Sequence, residues 1–189
     1  RLRRPRLALM GQTLPMELLQ APATALHAWR HAPAIGAVGR CIGRTDLRVD
    51  TRRAKRLAHH IRRFARRRGL PRVVITSTLE RSLVVGRWLA RWGWQHRADP
   101  ALCELDFGCW DGRPWLAVPH ADIDAWCKDF SNHAPGGGEP VAGLLQRVRG
   151  FDPGTARLLV THGGWLSAAL WLQAAVSTAP RSDQWPPAP

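Results

Sequence analysis

Arg157-Leu158-Leu159-Val160-Thr161-His162-Gly163-Gly164-Trp165 passes within a few residues from an apolar run, through a polar turn, into a new element. Leu158, Leu159 and Val160 are consecutive and apolar, the pattern of a short strand covered on both faces. Gly163-Gly164 breaks that run, and residues 165–175 continue at helical spacing. The same order recurs upstream. Residues 72–76 hold Val73, Val74 and Ile75, and Ser77 with Glu80 three positions on makes a capping-box pattern that opens a helix running to about Trp92. A further apolar run over 25–29 ends at Arg30-His31, after which Pro33 and Gly36 impose a loop.

Helices fill the intervals. Thr51–Arg68 places Ala54, Leu57, Ala58, Ile61, Phe64 and Ala65 on one stripe, and Gly69 with Pro71 stops it. Residues 102–112 read as irregular, 123–130 as a short helix, 135–138 as a Gly-rich loop and 141–151 as another helix. Strands alternating with helices predict an α/β protein, a three-layer α/β/α sandwich on a mostly parallel central sheet. The length, 189 residues, suits one domain that buries about 70% of its unfolded-chain surface. That domain is expected over residues 25–178. Residues 1–24 read as an extension, disordered or the product of an upstream translation start with Met10 or Met16 as the true beginning. Residues 179–189, rich in proline and polar side chains, read as a disordered tail.

The chain carries 28 basic and 14 acidic residues, a formal charge of +14. Much of the excess lies on one helix, at Arg52, Arg53, Lys55, Arg56, Arg62, Arg63, Arg66, Arg67 and Arg68, opposite its apolar stripe. No nucleic-acid-binding motif accompanies it, so it reads as a solvated face that draws anions by general attraction, without a specific nucleic-acid partner. No apolar run reaches the roughly 18 residues of a membrane span. Cys41, Cys103, Cys109 and Cys127 form no CxxC pair and no zinc-type spacing, and read as reduced thiols of a cytoplasmic protein. No metal or other cofactor is expected.

The polar residues that end the three strands carry the chemistry. In open α/β sheets ligands bind beyond the carboxyl ends of the strands. Arg30-His31, the 77–81 turn with Arg81, and Thr161-His162 would therefore meet on one sheet edge. Two arginines offer forked donors to phosphate oxygens, and an imidazole can serve as nucleophile. Helix N-termini after Ser77 and Gly163 would add backbone N–H donors.

The ordered set of segments resembles the histidine phosphatase superfamily, which includes phosphoglycerate mutases and α-ribazole phosphatases. Trp29-Arg30-His31 looks like its Arg-His-Gly signature, and Thr76-Ser77-Thr78-Leu79-Glu80-Arg81 like its Ser-Ser-Pro-Leu-x-Arg segment. Residues 102–112, Leu-Cys-Glu-Leu-Asp-Phe-Gly-Cys-Trp-Asp-Gly, resemble Leu-x-Glu-x-x-Phe-Gly-x-Trp-Glu-Gly. Pro135-Gly136-Gly137-Gly138-Glu139 is similar to Pro-Gly-Gly-Glu-Ser, and Leu159–Gly164 contains Val-Thr-His-Gly-Gly. The likeness covers roughly residues 25–172 and implies a phosphoglycerate mutase-like sandwich. It also implies roles: His31 as the nucleophile that becomes phosphohistidine, and Arg30, Arg81 and His162 as holders of the phosphoryl oxygens. Glu104 would be proton donor and then base. The substrate would be a small phosphate ester.

The departures have a direction. Ala32 and Pro33-Ala34 replace the usual Gly and Glu-Thr, and Gly39–Leu47 has the form of the α-ribazole phosphatase relatives, whose signature commonly reads Arg-His-x-Pro. Pro140 stands where Ser usually follows Gly-Gly-Glu. The segment between Asp111 and Pro135 is short beside that of the mutases, which favours water as acceptor. The expected activity is phosphomonoester hydrolysis, with α-ribazole phosphate as a candidate substrate. Phosphoglycerate mutase-type transfer and non-enzymatic anion or nucleic-acid binding are the alternatives.

Overall fold

The computed structural model describes residues 16–18, 25–174 and 178–188. Its sheet is built from β1 (Met16–Leu18), β2 (Leu26–Arg30), β3 (Val73–Thr76), β4 (Gln95–Ala98) and β5 (Leu158–Thr161), in the order β1-β2-β5-β3-β4. All pairs are parallel except β1 with β2, where Met16 stands opposite Ala28. Part of the segment expected to lie outside the domain thus joins the sheet edge; residues 1–15 and 19–24 lie outside the described residues.

Alternate strand residues face opposite layers. Trp29, Val74, Leu158 and Val160 pack with Ala54, Leu57, Ala58 and Ile61 of α1 (Thr51–Arg68) and with Val85 and Leu89 of α2 (Glu80–Arg91). Ala28, Ile75 and Leu159 face the other way, against Val141, Leu144 and Leu145 of α4 (Val141–Arg149) and Trp165, Leu166 and Ala169 of α5 (Gly163–Gln173). The result is the expected α/β/α sandwich. α3 (His120–Lys128) covers a smaller cluster of Cys41, Trp110 and Val118 beside the sheet's carboxyl edge.

Local signals set the ends of α1. Asp50 accepts the N–H groups of Arg52 and Arg53, and Gly69 takes the left-handed φ of 62° that closes the helix. The capping box at Ser77 does not form. Ser77 Oγ lies 2.6 Å from His162 Nε2, and the Glu80 N–H that begins α2 donates to Asp46 instead, at 2.7 Å. Pro140 likewise leaves α4 without a side-chain cap.

One further expectation changes. Proline content predicts disorder for the 179–189 tail. Residues 178–188 instead lie against the α4–α5 layer, with Trp185 5.5 Å from Phe130 and 6.3 Å from Trp171 between ring centres. One large aromatic side chain anchors what composition alone would release. The basic face of α1 also carries aromatic neighbours from α2 and the turn after it. Lys55 lies over Trp88 at 4.7 Å and Arg62 over Trp92 at 5.1 Å. Among the described residues no helix is long and apolar enough to cross a membrane.

Candidate active site

The carboxyl ends of β2, β3 and β5 bring Arg30-His31, the Ser77–Arg81 turn and His162 together, because these strands are neighbours in the sheet. The His31 N–H continues the ladder by donating to the Thr161 carbonyl at 3.0 Å, which fixes its backbone at the strand end. The two imidazoles approach to 4.9 Å between ring centres.

Arg81 sits between them. Its side chain is 1% exposed. Nε lies 3.2 Å from His31 Nε2 and 3.2 Å from His162 Nδ1. Nη1 donates to the Thr45 carbonyl at 2.8 Å and Nη2 to the Gly43 carbonyl at 2.6 Å. An arginine nitrogen can only donate, so each imidazole atom facing it must present a lone pair. The proton of His31 is then on Nδ1, where it donates to the Ala32 carbonyl at 2.6 Å. The proton of His162 is on Nε2, directed at Ser77 Oγ. Electrostatics favour the same neutral forms. Burial first, then the Arg81 and Arg30 charges, push His31 down to about 3 against the opposing pull of its bond to Ala32. Burial, then His31, Arg81, Arg30 and Arg44, push His162 well below the usual histidine range.

Glu104 approaches from the opposite layer. It is buried, and its carboxylate accepts the Leu105 N–H at 3.0 Å and the Gly164 N–H, at the start of α5, at 3.0 Å. A Cβ at residue 164 would lie 2.3 Å from Glu104 Oε1, so glycine there is what lets the carboxylate reach the helix. The helix N-termini expected to face a phosphate are therefore occupied from within, by Glu104 at α5 and by Asp46 at α2. Arg30 is exposed at the end of β2, its guanidinium carbon 3.3 Å from where a Cβ of Gly163 would lie.

Two supports receive no role from the sequence. Asp111 accepts the N–H groups of Gly43 (3.0 Å), Arg44 and Thr45 (3.1 Å) and the Thr45 hydroxyl (2.6 Å). It thereby shapes the loop whose carbonyls grip Arg81, and those bonds hold its carboxyl below the usual range although burial pulls the other way. Arg147 of α4 is bidentate on Glu139, at 3.0 and 2.7 Å, and donates to the carbonyls of Ala101 (2.9 Å) and Cys103 (2.7 Å). It ties down the strand-to-turn segment that carries Glu104, as does Thr161, whose hydroxyl donates to the Leu102 carbonyl at 2.6 Å. The signal for Asp111 and Glu139 lay in the motif segments. Nothing local marked Arg147. Among the described residues no group of three histidine, cysteine, aspartate or glutamate side chains could hold a metal ion.

This arrangement offers an unprotonated imidazole nitrogen, a buried guanidinium hydrogen-bonded to it, a second arginine at the rim and a carboxyl group across the site. Known proteins share the fold. The Histidine phosphatase superfamily (branch 1) matches residues 26–186. Among solved structures, Mycobacterial hydrolase 1 is 26% identical with a TM-score of 0.58, covering 78% of this chain and 78% of its own. Mycobacterial hydrolase 2 is 25% identical with a TM-score of 0.61, covering 84% and 74%. TTHB049 from Thermus thermophilus is 27% identical with a TM-score of 0.56, covering 75% and 79%. No curated protein sequence matches. The family match takes in the parallel strands, both helix layers and the tail as far as Pro186, and by it the chain belongs to the histidine phosphatase superfamily, whose chemistry is phosphatase or mutase-type phosphoryl transfer.

Proposed function

We propose that the chain hydrolyses small phosphate monoesters through a phosphohistidine at His31, with α-ribazole phosphate the substrate its Arg-His-x-Pro signature favours. The observation that carries this reading is the proton arrangement at His31. The bond from Nδ1 to Ala32 leaves Nε2 unprotonated beside Arg81 Nε. A nucleophilic imidazole needs that unprotonated nitrogen.

In the first step His31 Nε2 forms a bond to phosphorus while the ester P–O bond breaks. Glu104, protonated, gives its proton to the departing oxygen and the alcohol leaves. In the second step a water oxygen bonds to phosphorus as the N–P bond breaks, Glu104 takes the water's proton, and inorganic phosphate is released. Arg81 and Arg30 balance the charge on the phosphoryl oxygens. A phosphoryl dianion also reverses the electrostatics that keep His162 neutral. His162 then takes up a solvent proton and donates from Nδ1 to a phosphoryl oxygen.

The test is labelling with a radioactive ester. The wild-type chain should retain acid-labile phosphate and turn over in the presence of EDTA, and His31→Ala should lose both turnover and label. Label that survives in His31→Ala moves the nucleophile elsewhere. A panel of α-ribazole phosphate and 3-phosphoglycerate then sorts the substrate, with conversion of 3-phosphoglycerate to its 2-isomer marking a mutase.

A further inference from the structure

The groups assigned above serve phosphorus and the leaving oxygen, and none of them holds the rest of the substrate. Glu104 borders a cavity of about 370 Å³ that has Arg30, Gly163 and Gly164 at one end. Its walls are mainly apolar, with four rings, Phe107, Trp126, Phe130 and Trp185, among aliphatic side chains and the prolines of the tail. We propose that this cavity is the leaving-group subsite, with the 182–188 tail as its outer wall, and that it selects phosphate monoesters whose alcohol carries a flat aromatic ring. The proposal rests on the phosphatase reading and specifies the substrate class for it.

Direction comes from the chemistry. A proton donor must lie within hydrogen-bond reach of the oxygen it protonates. That oxygen carries the alcohol's carbon, so the alcohol occupies space that the donor borders. Glu104 borders this cavity.

Selectivity comes from the walls. Phe107 meets Trp126 edge-on at 6.0 Å, Trp126 meets Phe130 at 5.2 Å, and Phe130 meets Trp185 at 5.5 Å. The rings form a continuous path from α3 to the tail, suited to stacked or edge-on contact with another ring. Among the described residues lining the cavity, Arg30 and Glu104 are the charged ones and both serve the phosphoryl end; Ser167 and Ser182 add hydroxyls. A hydroxy acid, or a sugar without an attached ring, would as leaving group bury more polar groups than these can satisfy, at a cost for each, with no ring to contact the aromatic side chains.

The tail is fitted to the site. Trp185 packs between Phe130 and Trp171, and a Cβ at Gly163 would lie 3.0 Å from that of Ala188. The segment therefore spans from the hydrophobic layer to the start of α5, alongside Arg30.

The experiment compares naphthylmethyl phosphate with ethyl phosphate, whose leaving oxygens are similarly basic, in the full chain and in Trp185→Ala, Trp185→Phe and a truncation after Gln184. Binding of naphthylmethylphosphonate and methylphosphonate, which cannot turn over, is measured alongside by calorimetry. The wild type should prefer the naphthylmethyl ester by roughly tenfold or more through KM, and Trp185→Ala or the truncation should reduce that preference roughly tenfold, as loss of a buried ring contact implies. Trp185→Phe should restore most of it. Equal use of both esters, or a preference ratio that Trp185→Ala leaves unaltered while overall turnover falls, overturns the subsite. Trp185-dependent phosphonate binding without turnover of any ester keeps the subsite and overturns the phosphatase reading. Turnover of both esters with no binding preference does the reverse.

Discussion

Arg81 and Arg62 present the same guanidinium in opposite surroundings. Arg81 is buried, with the carbonyls of Gly43 and Thr45 fixing its plane and two imidazole lone pairs at its Nε. Arg62 belongs to an exposed stripe on α1, stacked over Trp92. The α1 stripe holds most of the excess charge, yet its cations are solvated on long stems. The strand-end site holds few cations, but Arg81 is oriented and desolvated. Orientation and a low local dielectric, more than the number of charges, make an anion site catalytic.

Substitutions can break that contrast. The largest effect should come from Arg81→Ala, a loss in kcat of roughly 10³-fold, as for removal of an oxyanion donor. Arg81→Lys should recover little, because an ammonium cannot span both loop carbonyls and the histidines. If Arg81→Lys retains most of the activity, orientation is not what matters. Glu104→Gln comes next. It should slow alkyl esters by roughly 10²-fold and nitrophenyl esters much less, since a general acid matters most for a basic leaving oxygen. Equal losses on both would reduce Glu104 to a structural part.

Asp111→Asn tests orientation at one remove. Asp111 holds the loop that holds Arg81. Weakening those bonds should cost about 1–3 kcal/mol of stability and lower kcat with little change in KM. A change confined to stability would separate the loop from catalysis.

The buried site also predicts a pH dependence. His31 and His162 have folded-state values below those of the unfolded chain. Their contribution is complete above about pH 6.5, and is lost as the pH falls from there toward 3, where the unfolded chain binds protons that the folded chain refuses. Urea-unfolding midpoints should fall across that window, less steeply in His31→Gln, and an identical slope in the variant would refute the burial argument. The smallest effect belongs to α1. Replacing Arg62, Arg63, Arg66 and Arg67 with Gln should leave kcat unaltered and raise KM modestly, only at low salt, through lost steering. A large loss there would erase the distinction between the two regions.

Arg30-His31, the 77–81 turn and His162 are legible because each follows an apolar run and adjacent parallel strands bring such ends together, whereas Glu104 is marked by the family resemblance alone. β4 is not legible: Gln95–Ala98 is a polar edge strand with no apolar pattern to mark it. Ser77 passes for a cap because its partner, His162, is remote in sequence and local spacing carries no record of it. Arg147 is hidden for the same reason, since it acts on carbonyls more than forty residues away. In the tail, proline content outweighs the one ring that anchors it.

The position of Ala188 has a practical side. Whatever polypeptide follows it, native or added, departs beside Arg30 and the first turn of α5. A purification tag fused there would emerge at the mouth of the site and compete with substrate for the rim. Kinetic work on this protein therefore calls for a tag at the other end, or for a cleavable one removed before assay.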